Sequence, residues 1–102
     1  MGKFEAVMCI VNSGYSDTAM DAAKRVGARG GTVMHARGTA SKEAEKIFNV
    51  TIQPEKEIVM IIIPTELKKD VLNALYESVG TTTQAQGMVF ALPVDEVVGI
   101  QK

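Results

Sequence analysis

The chain has one cysteine, one histidine and no tryptophan, and only 5% of its 102 residues are aromatic. The lone Cys9 excludes an intramolecular disulfide. Set in an apolar run, it reads as a small buried hydrophobe in a protein of a reducing, cytoplasmic setting. With His35 the only imidazole, the convergent set of ligands that tetrahedral zinc requires is lacking, and no metal is expected. Acyl transfer has no Gly-x-Ser-x-Gly elbow and no nucleophile beside a base, so no catalytic residue can be named and the chain is not expected to be an enzyme. The carboxylate pairs Glu43 with Glu45 and Asp95 with Glu96 lie in charge-mixed sequence and read as solvated faces. Long hydrophobic runs are also missing: Ala6 to Val11 and Ile58 to Ile63 fall far short of the roughly 20 residues that cross a bilayer, which argues against membrane insertion. The net charge is -1. Lys and Arg are scattered rather than clustered, so nothing marks a nucleic-acid partner.

What is present suits one domain over residues 1–102 with a single modest core. Phe4 to Val11, rich in Val, Ile and Phe, predicts a strand that ends at the turn signal Asn12-Ser-Gly14. Ser16 or Asp17 then offers a helix cap, and Ala19, Ala22, Ala23 and Val26 recur at helical spacing until Gly27 ends the helix. Thr32 to Arg37 predicts a second strand, and Lys56 to Ile63 a third, stopped by Pro64. Thr65 caps a second helix whose Leu67, Val71, Leu72, Leu75 and Val79 form an apolar stripe ended by Gly80. Met88 to Leu92 predicts a fourth strand, ended by Pro93. The order, βαβ then βαβ joined by the segment from Gly38 to Glu55, is that of an α+β ferredoxin-like sandwich with an antiparallel sheet.

Helices enough for one face of a sheet should leave the other face polar, yet these strands do not alternate. Phe4, Ala6, Met8 and Ile10 take one face of the first strand and Val7, Cys9 and Val11 the other, and Ile58 to Ile63 is apolar on both. A second apolar face needs cover, which points to an oligomer packed through its sheets. The alternative is cover by Ala44, Ile47, Phe48 and Val50 of the connecting segment.

Two stretches could hold a ligand. The run from Arg25 to Thr39 takes a helix end through Gly30 and Gly31 into the strand that starts at Thr32. It then presents Arg37, Gly38 and Thr39, a guanidinium, a flexible backbone and a hydroxyl able to meet an anion. The loop Thr81 to Gly87 offers the hydroxyls of Thr81, Thr82 and Thr83, the amides of Gln84 and Gln86, and the backbone N–H of Gly87. It offers no positive charge, since no Lys or Arg lies between Lys69 and Lys102.

The order of elements, with Gly27-Ala-Arg-Gly-Gly-Thr-Val33 leading to Ala36-Arg-Gly38, Lys56-Glu-Ile-Val-Met-Ile-Ile-Ile-Pro64 and Gly87-Met-Val-Phe-Ala-Leu-Pro-Val-Asp95, resembles the PII nitrogen-regulatory family over essentially the whole chain. The resemblance implies a compact homotrimer of ferredoxin-like subunits with inward-facing sheets. It implies adenine nucleotides (AMP, ADP or ATP) bound in clefts between subunits, and a loop after the second strand that controls a transporter, enzyme or other regulated protein. Gly30 and Thr32 fall where the family meets adenine, Gly38 at the root of its loop, and Thr81 and Gly87 at the ends of its phosphate-cradling loop. The corresponding loop here, Gly38 to Glu55, is short and would engage its partner through Lys42, Glu43, Lys46 and Phe48. The pattern departs from the family where its phosphate-loop glycines are replaced by Thr82 and Ala85 and its lysines by Thr83 and Met88. The tail Val97-Val-Gly-Ile100 also lacks the family's arginines. Two further expectations from the residues alone are a ferredoxin-like sensor of an amino acid or metal, and an assembly protein without a ligand.

Overall fold

The computed structural model describes residues 3–39, 46 and 54–100. Strand β1 (Phe4–Asn12) leads into helix α1 (Ser16–Arg25) and strand β2 (Thr32–Arg37). After the connecting segment come β3 (Glu55–Pro64), a 3-10 turn (Thr65–Leu67), α2 (Lys68–Val79) and β4 (Met88–Val94). The sheet has the order β2-β3-β1-β4 with every neighbouring pair antiparallel, the ferredoxin-like arrangement.

Helices α1 and α2 pack on one face. There Val7, Cys9, Val11, Val59, Ile61 and Ile63 of the central strands meet Ala19, Ala22 and Ala23 of α1 and Val71, Leu75 and Val79 of α2, all fully buried. The alanines let α1 approach the sheet closely, and the i, i+4, i+8 spacing of the α2 residues places them on one stripe. The same burial pushes the Cys9 thiol up to about 11, because the thiolate would lose its water.

Several ends differ from the expected ones. Pro64 is the last residue of β3, as expected, and still pairs with Phe4, whereas Pro93 does not stop β4: it pairs with Glu5 and the strand runs on to Val94. Pro93 is tolerated because β4 is an edge strand, whose outward side needs no donor. Helix α1 has no side-chain cap of its own. A distant residue serves instead: Glu57 Oε1 accepts from the backbone N–H groups of Gly14 (3.0 Å) and Ser16 (3.3 Å). The Gly14 N–H foremost holds the Glu57 carboxyl below the ordinary 4.5, against the opposing effect of its own desolvation. The helix ends as expected, with Gly27 at φ +116°. Gly80 ends α2 for another reason: its φ is -70°, and a Cβ there would lie 2.3 Å from Tyr76 O.

No helix among the described residues covers the opposite face of the sheet. Phe4, Ala6, Met8 and Ile10 of β1 lie beside Ile58, Met60 and Ile62 of β3 and beside Met88, Phe90 and Leu92 of β4. Met88 is 62% exposed and Leu92 51%. The apolar second face is therefore real, while Ala44, Ile47, Phe48 and Val50, the alternative cover, lie outside the described residues. No helix among the described residues is long and apolar enough to cross a membrane.

Candidate functional site

The residues singled out for ligand contact fall at two opposite ends of the sheet. At the first end, β2 begins at Thr32 after the passage Gly27 to Gly31. The structural need there falls on Gly31, since a Cβ would lie 2.7 Å from Met60 O and 3.0 Å from Met20 Sδ, whereas Gly30 has nothing within 4 Å. This passage forms one wall of a cleft of about 850 Å³. Met60, Ile62 and Leu67 supply its apolar surface, Lys3, Arg29 and Glu66 its charge, and Gly99 and Ile100 of the tail close one side.

At the second end lie Arg37, Gly38, Thr39 and the Thr81 to Gly87 loop. Five steps of β2 separate Thr32 from Arg37, about 16 Å at strand rise. One subunit therefore does not bring Gly30 and Thr32 together with Gly38 or the loop. The loop docks on the far end of β1, where the Asn12 N–H donates to Ala85 O at 2.9 Å and Asn12 Nδ2 to Gln84 O at 3.0 Å.

The loop is largely bonded to itself. The Thr83 hydroxyl donates to Gly80 O (2.8 Å) and the Thr81 hydroxyl to Gly87 O (3.4 Å). The backbone N–H of Thr83 goes to Gly80 O, that of Gln86 to Thr83 O, and that of Gly87 to Val79 O at 2.7 Å. The Gly87 donor expected to meet a ligand is thus already paired. Gly87 serves close packing instead: a Cβ would lie 2.1 Å from Val79 O. Thr82 and Gln86 remain exposed, Gln86 at φ 49°.

Charge at this end comes from β2 and β3. Arg37 pairs in register with Glu55 and His35 with Glu57, on the face of the sheet that carries Val33 and Val59. Lys56, one residue on, is turned to the other face by the strand's alternation. Its Nζ donates to Asn12 Oδ1 at 2.6 Å, and its stem lies against Gly38, where a Cβ would meet Lys56 Cε at 2.9 Å. Tyr15 completes the cluster by donating its hydroxyl to Gln84 Oε1 at 3.1 Å.

Sequence reasoning missed Asn12, Tyr15, Lys56 and Glu57 as members of this end. Their partners lie 41 to 72 residues away. No local pattern announces such pairs; the only signal was a cation and an amide at the ends of two strands expected to be neighbours. Of the residues assigned to a partner, Lys46 is exposed, while Lys42, Glu43 and Phe48 lie outside the described residues. Among the described residues no group of three or more His, Cys, Asp or Glu is placed to hold a metal ion. Asp95 and Glu96 are exposed, in keeping with a solvated role.

The family model for "Nitrogen regulatory protein P-II" matches residues 4–102. No curated protein matches the chain. Among solved structures, PII of Arabidopsis thaliana bound to citrate is similar, with 25% sequence identity and a TM-score of 0.73 over 98% of this chain and 82% of that one.

Proposed function

The chain belongs to the nitrogen regulatory protein P-II family, and on that footing we propose that it is a non-enzymatic cytoplasmic regulator. Three copies pack through their open sheet faces and take a small effector in the clefts between them. The segment from Gly38 to Glu55 engages and controls a partner protein, a transporter or an enzyme.

The observation that carries this reading is the separation of the two ends. Gly30 and Thr32 lie on one side and Arg37 to Thr39 with the 81–87 loop on the other, so only the juxtaposition of different copies makes one site of them. The face of Met8, Met60, Phe90 and Leu92, which no element of the described residues covers, supplies the reason for such copies to associate. The Arabidopsis PII structure holds citrate, and a small polyanion in a like fold supports an anionic effector here.

An adenine nucleotide with few phosphates suits the chemistry best. The loop's N–H groups at Thr83, Gln86 and Gly87 already have acceptors, and the loop carries no cation, so a triphosphate finds little of the cradle it needs. Among the described residues, Arg37 and Lys56 at one end and Arg29 and Lys3 at the other are the cations available to meet phosphate. Light scattering on the purified protein tests the assembly, and calorimetry with AMP, ADP, ATP and cyclic nucleotides tests the effector. We expect heat with AMP or ADP and its loss in Arg37→Ala or Lys56→Ala. Absence of heat and of any thermal shift with every nucleotide overturns the nucleotide reading and favours an assembly protein without a ligand.

A further inference from the structure

The second end of the sheet holds two elements with different roles in the reading above: the root of the connecting segment and the 81–87 loop. The root is closed by the Gly38 N–H donating to Pro54 O at 2.7 Å. The loop is fastened at Gln84 and Ala85. Between them stand two side chains. Lys56 packs its stem on Gly38 and donates its ammonium to Asn12 Oδ1, and Asn12 donates its Nδ2 to Gln84 O.

We propose that Lys56 and Asn12 form a relay that couples the backbone at Gly38 and Pro54 to the Thr81 to Gly87 loop. The chemistry of Asn12 makes the coupling directional in its parts. An amide offers an acceptor and a donor on one rigid plane, so the oxygen held by Lys56 fixes where the nitrogen points. The bond from Lys56 is charge-assisted, the stronger class of hydrogen bond, so the cation is the more firmly held end. Displacement of Lys56 leaves the amide of Asn12 free to turn, and the loop then loses its side-chain tether at Gln84. Disturbance of the loop frees the amide in the same way and reaches Gly38 through the lysine stem. Tyr15, bonded to Gln84 Oε1, steadies the loop from the α1 side and stands outside the relay.

This coupling rests on the proposed function only for the roles of its two ends, and its test uses neither effector nor partner. The measurement is native-state amide hydrogen exchange on the full chain in its natural assembly, read at Gly38, Gln86 and Gly87. Asn12→Ala removes both halves of the relay and is expected to raise exchange roughly tenfold at Gly38 as well as in the loop, the scale of a lost charge-assisted hydrogen bond. Asn12→Asp keeps an acceptor for Lys56 and loses the donor to Gln84. It should therefore speed the loop amides while leaving Gly38 at the wild-type rate, a split that uniform destabilisation does not produce. Gly38→Ala approaches from the other end: its Cβ would lie 2.9 Å from Lys56 Cε, so the flexible stem must shift, and the loop amides should speed up although the substitution touches none of them. Lys69→Ala, on the exposed side of α2, is the control and should change neither. If Asn12→Ala does not fold, the pair Asn12→Asp and Gly38→Ala decides. Unchanged loop exchange in Gly38→Ala, or equal acceleration of both ends in Asn12→Asp, overturns the relay. Failure of nucleotide binding leaves it standing.

Discussion

Along β1 and β3 the residues that face the helices and those that face away are almost equally apolar, yet their surroundings differ. Val7, Cys9, Val11, Val59, Ile61 and Ile63 are fully buried under α1 and α2. On the other face Met8, Ile10, Ile58, Met60 and Ile62 are half-buried, and Met88, Phe90 and Leu92 on β4 are exposed. The difference separates two uses of the same hydrophobic effect. One face closes its core within the subunit; the other leaves apolar area that a neighbouring copy would bury, and stabilisation gained that way would depend on concentration.

The largest effect should come from charging the outer face. Leu92 is 51% exposed on an edge strand, so Leu92→Glu in a lone subunit is expected to change stability by less than about 0.5 kcal/mol. If the face is buried between copies, the same change places a carboxylate at an apolar contact and dissociates the assembly. Light scattering should then show a mass near 10.9 kDa in place of three times that value. A wild-type protein that is already monomeric would break the comparison, because the outer face would then have no partner.

Leu75→Ala probes the inner face. Leu75 is fully buried on α2, and its truncation leaves a cavity worth about 3 kcal/mol of stability. In contrast to Leu92→Glu, the loss should persist when unfolding by denaturant is measured with the assembly dissociated by dilution. A loss that vanishes on dilution would mean that the helix face also depends on neighbours.

These two faces were legible before the structure because they rest on local pattern. β2 runs from Thr32 to Arg37 as the glycines on either side of it imply, and Val71, Leu75 and Val79 are the buried stripe that their spacing predicts. The end of β4 was less legible, since Pro93 read as a stop until the sheet order showed that β4 has a free edge. At the candidate site the segments were legible and the bonding was not. Glycines and threonines mark the 81–87 loop, but nothing local shows that the Thr83 hydroxyl and the Gly87 N–H turn inward to Gly80 and Val79. Lys56 and Asn12 meet across 44 residues of sequence, a distance at which only the register of β1 against β3 brings them together.

Cys9 sharpens the claim that the inner face is dry. Its folded pKa is raised to about 11 from 9.0, so the neutral thiol is the form that folding favours. Below pH 9 both states hold the proton and the cysteine leaves stability unchanged with pH. As pH rises from 9 towards 11 the unfolded thiol ionises and the folded one does not, so stability falls. The slope approaches about 1.4 kcal/mol per pH unit, for a loss of roughly 2 kcal/mol by pH 11. Lysines and tyrosines titrate in the same range, so the observable is the difference between wild type and Cys9→Ala, whose own melting should lack this component. Thiol labelling at pH 8 should likewise be slow until the chain unfolds. Fast labelling of the folded protein would show that water reaches the inner face.

Glu57 tests the rim where the inner face meets solvent, and the expected effect is the smallest. Its carboxylate accepts from the N–H groups of Gly14 and Ser16, in place of the cap that α1 lacks among its own first residues. Glu57→Gln retains an oxygen that can accept but removes the negative charge at the positive end of the helix, for a loss of about 1 kcal/mol at neutral pH. The folded pKa is depressed, so this contribution is present above the ordinary 4.5 and fades as pH falls through the lower folded value. Wild type and Glu57→Gln should therefore converge in acid and differ at pH 7. A difference that grows towards low pH would reverse the sign and remove Glu57 as the cap. Since Glu57 on β3 is joined through this cap to the start of α1, while its neighbour Lys56 reaches Asn12 on the other side of the strand, the two residues tie one strand end to both faces. Loss of the Glu57 cap should accordingly loosen α1 and leave exchange at Gly38 unchanged.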